Sequence, residues 1–273
     1  MPPETSTRRP AGASPVSVPG SPPGRHAALR SGVVWEALRR ALEARARARA
    51  RQSLDVLDTG GGSGSFAVPI ARLGHRVTVV DPSPNALFAL ERRAAEAGVA
   101  EGSVRGVQGD TRDLPEVAAR AGYDLVLCHG VLEHVEAPAA AMRAVTGALR
   151  PGGTLSLLAA GAGGTVLARA LAGRFDDAVH ALRDPSGRWG EADPVPHRFT
   201  AEELTSLVRD AGLVPGEIHG VRIFADLVPG SLVDAQPEAL RSLTRLEAEA
   251  ATEPAFRAIA AELHVLAELP ERP

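Results

Sequence analysis

The chain has 273 residues, 44% of them hydrophobic and 23% charged, and a formal net charge of −3. That is enough apolar sequence for one large α/β domain with additions; the charge excludes a globally basic nucleic-acid binder and leaves room for a local basic patch. Every basic residue is Arg, a coding bias that says little about function, and the single Cys128 excludes an internal disulfide framework and suits a reducing cytoplasm.

Residues 1–24 are rich in Pro, Ser and Gly and lack an apolar signal-peptide core. They predict a disordered tail ahead of one domain over 25–273. The most apolar window, 154–173, is interrupted by glycines and Arg169, so it reads as a buried strand plus loop and no membrane span is expected. Residues 25–51 predict a helix from the near-helical spacing of Leu29, Val33, Leu38 and Leu42, with Trp35 among them. Its alternating end, Arg45, Arg47, Arg49 and Arg51, reads as a solvated helix terminus whose cations face the negative end of the helix dipole. A phosphate-contacting patch is the alternative.

Strands are expected over 54–59, 75–80, 104–109, 123–128 and 153–159, separated by helices near 64–73, 83–97, 114–121 and 137–149. Such alternation builds parallel βαβ units with both sheet faces covered. The fold class is therefore α/β, a doubly wound, mostly parallel, seven-stranded, Rossmann-like sheet with an N-terminal helical segment. Residues 161–199, with their glycines and prolines, read as an irregular insertion on the ligand side, a natural substrate lid. A helix follows over 200–211, with Thr200 as N-cap and Glu203 at capping-box spacing. A sixth strand near 214–224, a long helical stretch near 237–260 with a possible break at Pro254, and a last strand near 263–269 complete the chain.

The chemistry gathers where strands end. Asp58-Thr-Gly60-Gly61-Gly62-Ser-Gly64 joins a strand to a helix, the geometry that brings backbone N–H groups close to a nucleotide-like ligand. Asp81 ends the second strand, about twenty residues on, where a carboxylate can accept both ribose hydroxyl protons of an adenosine. Its bland role is to help start the next helix, and the two roles can coexist. Asp110 and His129 end the third and fourth strands on the same rim. His129, Glu133 and His134 are spaced H-x-x-x-E-H, unlike the zinc motifs, and no third ligand cluster is evident, so no metal is expected. Cys128 reads as a small buried apolar group.

A glycine loop followed by an acid also occurs in dinucleotide dehydrogenases. Three more features turn the reading: Asp58 ahead of the glycines, Gly109-Asp110-Thr111 after the third strand, and Leu149-Arg-Pro-Gly-Gly153 before the fifth. Together, over about residues 54–159, they resemble the class I S-adenosylmethionine-dependent methyltransferases. The resemblance implies S-adenosylmethionine as cofactor, with the loop on its methionine and ribose portions, the acid after the second strand on the ribose and the residues after the third beside adenine.

A narrower resemblance covers roughly 26–270. Leu29-Arg30, Leu57-Asp58-Thr-Gly-Gly-Gly62, His129-Gly-Val-Leu-Glu133, the stretch 149–157, Ala172-Gly-Arg-Phe175-Asp176 and Gly220-Val-Arg-Ile-Phe224 are similar to the bacterial tRNA 5-carboxymethoxyuridine methyltransferases. That family implies cofactor contacts at Arg30, Gly60, Gly61, Asp81, Thr111, Arg112 and His129, to which the general reading adds Asp58, Gly62, Gly64 and Asp110. It implies tRNA as partner. This chain departs from the family in its N-terminal tail and in lacking a lysine-rich run between Asp184 and Arg198.

A carboxylate acceptor is already ionised at neutral pH, so methyl transfer to it needs positioning rather than a base. Arg174 and Arg222, with Arg198 and His180 behind them, are the cations expected to orient it, because an Arg fork binds a carboxylate bidentately. A hydroxyl or amine acceptor would call for a base, His129 or His134 first. A small-metabolite acceptor, or cofactor binding without catalysis, are the competing functions.

Overall fold

The computed structural model describes residues 25–234 and 237–271, and the side chains of 32–233 and 238–271. The tail expected over 1–24 lies outside the described residues, as does the side chain of Arg30.

Helix α1 (Arg25–Ala48) leads into β1 (Asp55–Thr59), α2 (Ala67–Arg72), β2 (Arg76–Asp81), α3 (Pro84–Glu96), β3 (Val104–Gln108), α4 (Leu114–Val117), β4 (Tyr123–His129), α5 (Pro138–Ala148) and β5 (Leu149–Ala160). Then come α6 (Ala162–Leu171), α7 (Phe175–Arg183), α8 (Ala201–Asp210), β6 (Val214–Val221), α9 (Gly230–Asp234), α10 (Pro237–Ala250), α11 (Pro254–Arg257) and β7 (Glu262–Glu268). One seven-stranded sheet has the order β3-β2-β1-β4-β5-β7-β6. Strands β1 to β5 pair in parallel, and β7 runs antiparallel to both neighbours, β5 and β6. The strand order reverses between β1 and β4, so the crevice at the carboxyl ends of these strands is where ligands of such sheets sit.

The apolar strands are covered on both faces. On one, Val34, Leu38 and Leu42 of α1 pack with Ile70 of α2, Leu90 of α3 and Val56, Val77 and Leu127 of the sheet. On the other, Met142 and Val145 of α5 and Leu204 and Val208 of α8 pack on Leu57, Val126, Leu155 and Val265. Burying each such side chain is worth ~1.5–3 kcal/mol, and the two faces together fix the register of every central strand.

Two expectations change. The first half of 161–199 is two helices rather than irregular chain. Its glycines are packing residues: a Cβ on Gly163 would lie 1.9 Å from Ala258 O, and one on Gly164 2.4 Å from Ala260 O. They let α6 press against the 258–261 backbone, so residues that read as helix breakers are what the contact requires. The stretch near 237–260 is divided as expected, with Pro254 opening α11 after α10. The Arg run is not uniformly solvated. Arg45, in the last turn of α1, and Arg49, just past its end, reach the buried Asp124 at 3.9 and 3.5 Å, and Arg45 also donates to Pro151 O. Arg150 meets the same carboxylate at 2.7 Å. Only Arg45 of the run is buried; Arg47, Arg49 and Arg51 are exposed. Desolvating Asp124 without these partners is costly, and that cost decides the orientation of the run.

Candidate functional site

Strand β1 delivers the chain to the crevice as a fully buried run, and the glycines then turn it. Gly60, Gly62 and Gly64 have φ of +66°, +55° and +80°, a region that penalises any side chain. The Gly60 N–H donates to Val80 O of β2 at 2.7 Å, anchoring the turn to the neighbouring strand. A Cβ on Gly61 would lie 2.5 Å from the Asp58 carboxyl, and one on Gly64 2.3 Å from Leu90 Cδ1. At Gly62 the nearest atom to such a Cβ is Asp81 Oδ2, 3.9 Å away. A side chain there would project into the space beside Asp81.

Asp81, buried at the end of β2, binds both sides of this crevice. Its Oδ2 accepts the Gly62 N–H and its Oδ1 the Ser83 N–H, each at 2.9 Å. Ser83, not Asp81, caps α3, accepting from the Ala86 N–H at 3.3 Å. Asp81 thus fixes the glycine loop against the entry to α3, and each oxygen keeps further acceptor capacity. Asp58 lies beneath the loop. Burial, reinforced by the nearby Asp81 charge, pushes its carboxyl up to about 7.

On the next strand, Thr111 is buried, and Asp110 accepts from the Arg112 N–H at 2.7 Å and pairs with its guanidinium at 2.8 Å. The Arg112 side chain is 86% exposed, and its hydrogen bonds hold Asp110 below the usual carboxylate range. His129 ends β4 beside β1. Its ring packs edge-on against Phe66, centroids 4.7 Å apart, and its Nε2 lies 2.8 Å from Ser156 Oγ on β5. Burial pushes this imidazole down to about 3. Burial likewise drives the Cys128 thiol up to about 12, as suits an inert buried sulfur.

The four cations expected to orient an acceptor have different surroundings. Arg198 is buried in a bidentate pair with Asp193, at 2.7 and 3.1 Å, and also donates to Gly187 O. Arg222, φ +57° at the end of β6, pairs with Glu262 at 3.1 Å and with Asp226. Arg174 precedes α7 and His180 lies on it, both exposed, with Asp177 3.8 Å from Arg174. Arg198 is thus committed to holding the insertion together, along with Arg169 stacked 3.9 Å over the Trp189 ring.

The sequence reading passed over one rim residue. Glu133, in the turn after β4, is 7% exposed, and its Oε2 is buried without a hydrogen-bond partner among the described residues. Burial raises its carboxyl to about 7. The His197 N–H donates to the Glu133 backbone oxygen at 3.2 Å, tying the insertion to this turn. Its only sequence signal is a carboxylate in an apolar run at the strand end, the same stretch considered for a metal.

A family profile described as "Methyltransferase domain" matches residues 57–155, the span from the glycine loop to β5. The chain carries a methyltransferase domain. It is 29% identical over 245 residues, 89% of each chain, to the tRNA 5-carboxymethoxyuridine methyltransferase of Escherichia coli strain K12. It is 35% identical over 172 residues, 62% of this chain and 63% of the relative, to a ubiquinone biosynthesis O-methyltransferase of Methylobacterium sp. strain 4-46. In fold it is similar to an S-adenosylmethionine-dependent methyltransferase of Methanosarcina mazei, with TM-score 0.56, 18% identity, and coverage of 81% of this chain and 95% of that one. The methyl donor is S-adenosylmethionine, and the glycine turn and Asp81 lie together at the carboxyl ends of β1 and β2, where sheets of this order take ligands.

Proposed function

We propose that this methyltransferase esterifies the carboxylate of a 5-carboxymethoxyuridine-type wobble nucleoside in tRNA. The observation that carries the reading is the similarity to the Escherichia coli enzyme along 89% of both chains, well beyond the residues 57–155 of the methyltransferase domain. In this reading Gly60, Gly61, Gly62 and Gly64 give the methyl donor a side-chain-free backbone, and Asp81 accepts from its ribose hydroxyls. Thr111, Asp110 and Arg112 border its base, and His129 and Asp58 border its amino-acid portion, to which the family resemblance adds Arg30.

The donor supplies an electrophilic methyl group on a sulfonium, so the protein's task is to hold a nucleophile in line with it and keep water away. Arg222 at the rim, Arg174 just ahead of α7 and His180 on it are the groups placed to orient an acceptor carboxylate; Arg198 acts indirectly, by holding the insertion that carries the lid. Since a carboxylate is already ionised, no residue need remove a proton.

A second reading, transfer to a hydroxyl of a small acceptor, has one observation on its side. The buried Glu133 carboxyl, raised to about 7, is a suitable base at the rim. The readings separate by product chemistry. With total tRNA and labelled methyl donor, a methyl ester releases its label as methanol in mild base, whereas an ether retains it. Alkali-labile label in tRNA is the expected result. Label found only in a metabolite extract, stable to base, overturns the tRNA assignment.

A further inference from the structure

Strand β6 runs in the same direction as β5, because β7 lies between them antiparallel to both, so its end at Val221 falls on the ligand rim. The chain turns there through residues 222–226. Arg222 enters the turn with φ +57°, a left-handed backbone that is costly for any residue with a side chain and persists only where its surroundings impose it.

A buried carboxylate imposes it. Glu247 of α10, 2% exposed, accepts the Ile223 N–H on Oε2 at 3.0 Å and the Phe224 and Ala225 N–H groups on Oε1 at 2.8 and 2.7 Å. Successive N–H groups that converge on one anion form a nest, and a left-handed residue is what turns their peptide planes to one side. Past Val221 these groups have left the sheet, and buried N–H donors without a partner are costly. Glu247 satisfies all three at once. It sits in the last turn of α10, where the helix dipole disfavours an acid, so its place is explained by the turn it binds and not by its own helix.

The same turn is tied down through its first side chain. Arg222 Nη1 donates to Glu262 Oε1 at 3.1 Å, where β7 begins, and Nη2 donates to Asp226, four residues on. Two carboxylates thus aim the guanidinium, and a third, Glu247, fixes the backbone from which it springs. We propose that Glu247 is a positioning residue for methyl transfer: by filling the nest at 223–225 it holds Arg222 at the acceptor side of the crevice. The proposal rests on the reading that Arg222 orients the acceptor. Glu247 is enclosed and acts only through the turn, and no bond is made or broken in its role.

Glu247→Gln keeps the size of the side chain. Its amide oxygen accepts two of the three N–H groups at most, and its amide nitrogen confronts the third. Amide hydrogen exchange, followed by mass spectrometry on the full-length variant, reads the nest without reference to any substrate. Exchange over 222–226 should quicken about tenfold, the usual effect of losing one charge-assisted hydrogen bond, while the glycine loop over 58–64 keeps its protection. Unchanged exchange over 222–226 overturns the proposal.

Kinetics then test the consequence. With tRNA bearing 5-carboxymethoxyuridine, Glu247→Gln should raise the acceptor's KM about tenfold and leave S-adenosylhomocysteine affinity within about twofold. Arg222→Gln should raise the same KM, and adding Glu247→Gln to it should raise it little further, because both changes remove one interaction. Losses that multiply in the double variant, or a loss of cofactor affinity equal to that of the acceptor, show a merely structural Glu247 and refute the positioning role. If instead Arg222→Gln leaves the KM unchanged, the reading of Arg222 fails and takes the positioning role with it. An unmutated protein that methylates no such tRNA overturns the proposed function together with this role, a result seen before any variant is made.

Discussion

Replacing Asp81 with Asn tests the crevice at its most connected point. The carboxylate accepts two backbone N–H groups at 2.9 Å from a 7% exposed position. The amide oxygen can keep one of them, and the amide nitrogen then confronts the other N–H. Losing one charge-assisted bond and leaving a donor poorly paired costs roughly 2 kcal/mol of stability. A small relief offsets part of this, because the Asp81 charge is one of two causes raising the Asp58 carboxyl, the lesser after burial. Binding suffers more. Two ribose hydroxyls that donate to a carboxylate are each worth about 1.5 kcal/mol or more, so affinity for S-adenosylhomocysteine should fall about a hundredfold. Calorimetric titration gives the affinity and thermal melting the stability. A variant that melts a few degrees lower yet binds within about twofold of the unmutated protein would refute the ribose role and leave Asp81 a loop anchor only.

Other consequences are as direct. The Glu133 carboxyl, raised by burial from 4.5 to about 7, favours folding while protonated, and that contribution is lost as pH rises through 7. Unfolding free energy should therefore decline between about pH 4.5 and 7 by roughly 3 kcal/mol from this group, and Glu133→Gln should flatten that decline in denaturant titrations at several pH values. An unchanged slope would mean the carboxyl is not desolvated. For Asp193, burial raises the carboxyl, but Arg198 and the Trp189 and Val195 N–H groups more than offset this and hold it below its ordinary range. Asp193→Ala leaves Arg198 buried and unpaired, a cost of about 3–5 kcal/mol, so residues 184–199 should become the first site of limited proteolysis. An unaltered cleavage pattern would deny the pair its role in ordering the insertion.

Much of this architecture was legible because the signals were redundant. Alternating apolar runs marked seven strands and most of their helices, and Thr200 with Glu203 marked α8, whose capping box is complete in the structure. The glycine loop and Asp81 could be placed on one rim because strand ends are set by the same pattern. What stayed hidden depends on long-range contact. Gly163 and Gly164 look like breakers until the 258–261 backbone is seen against them. Arg45 and Arg49 look solvated until Asp124, 75 or more residues away in sequence, is found beneath them. Ser156 and His264, whose Oγ and Nε2 lie 2.8 Å apart, did leave a trace, as single polar residues inside Leu155–Leu157 and Leu263–Val265, but only strand order shows that these strands are neighbours. The direction of β7, antiparallel in an otherwise parallel sheet, has no local signature at all.

The central claim is the acceptor, and nucleoside mass spectrometry addresses it most directly. Purified protein, S-adenosylmethionine and tRNA bearing 5-carboxymethoxyuridine should yield the corresponding methyl ester at the wobble position, and the Asp81→Asn variant should yield far less. Wobble nucleosides left unmethylated by a protein that binds S-adenosylmethionine normally would contradict the account of its substrate and leave the methyl donor site standing.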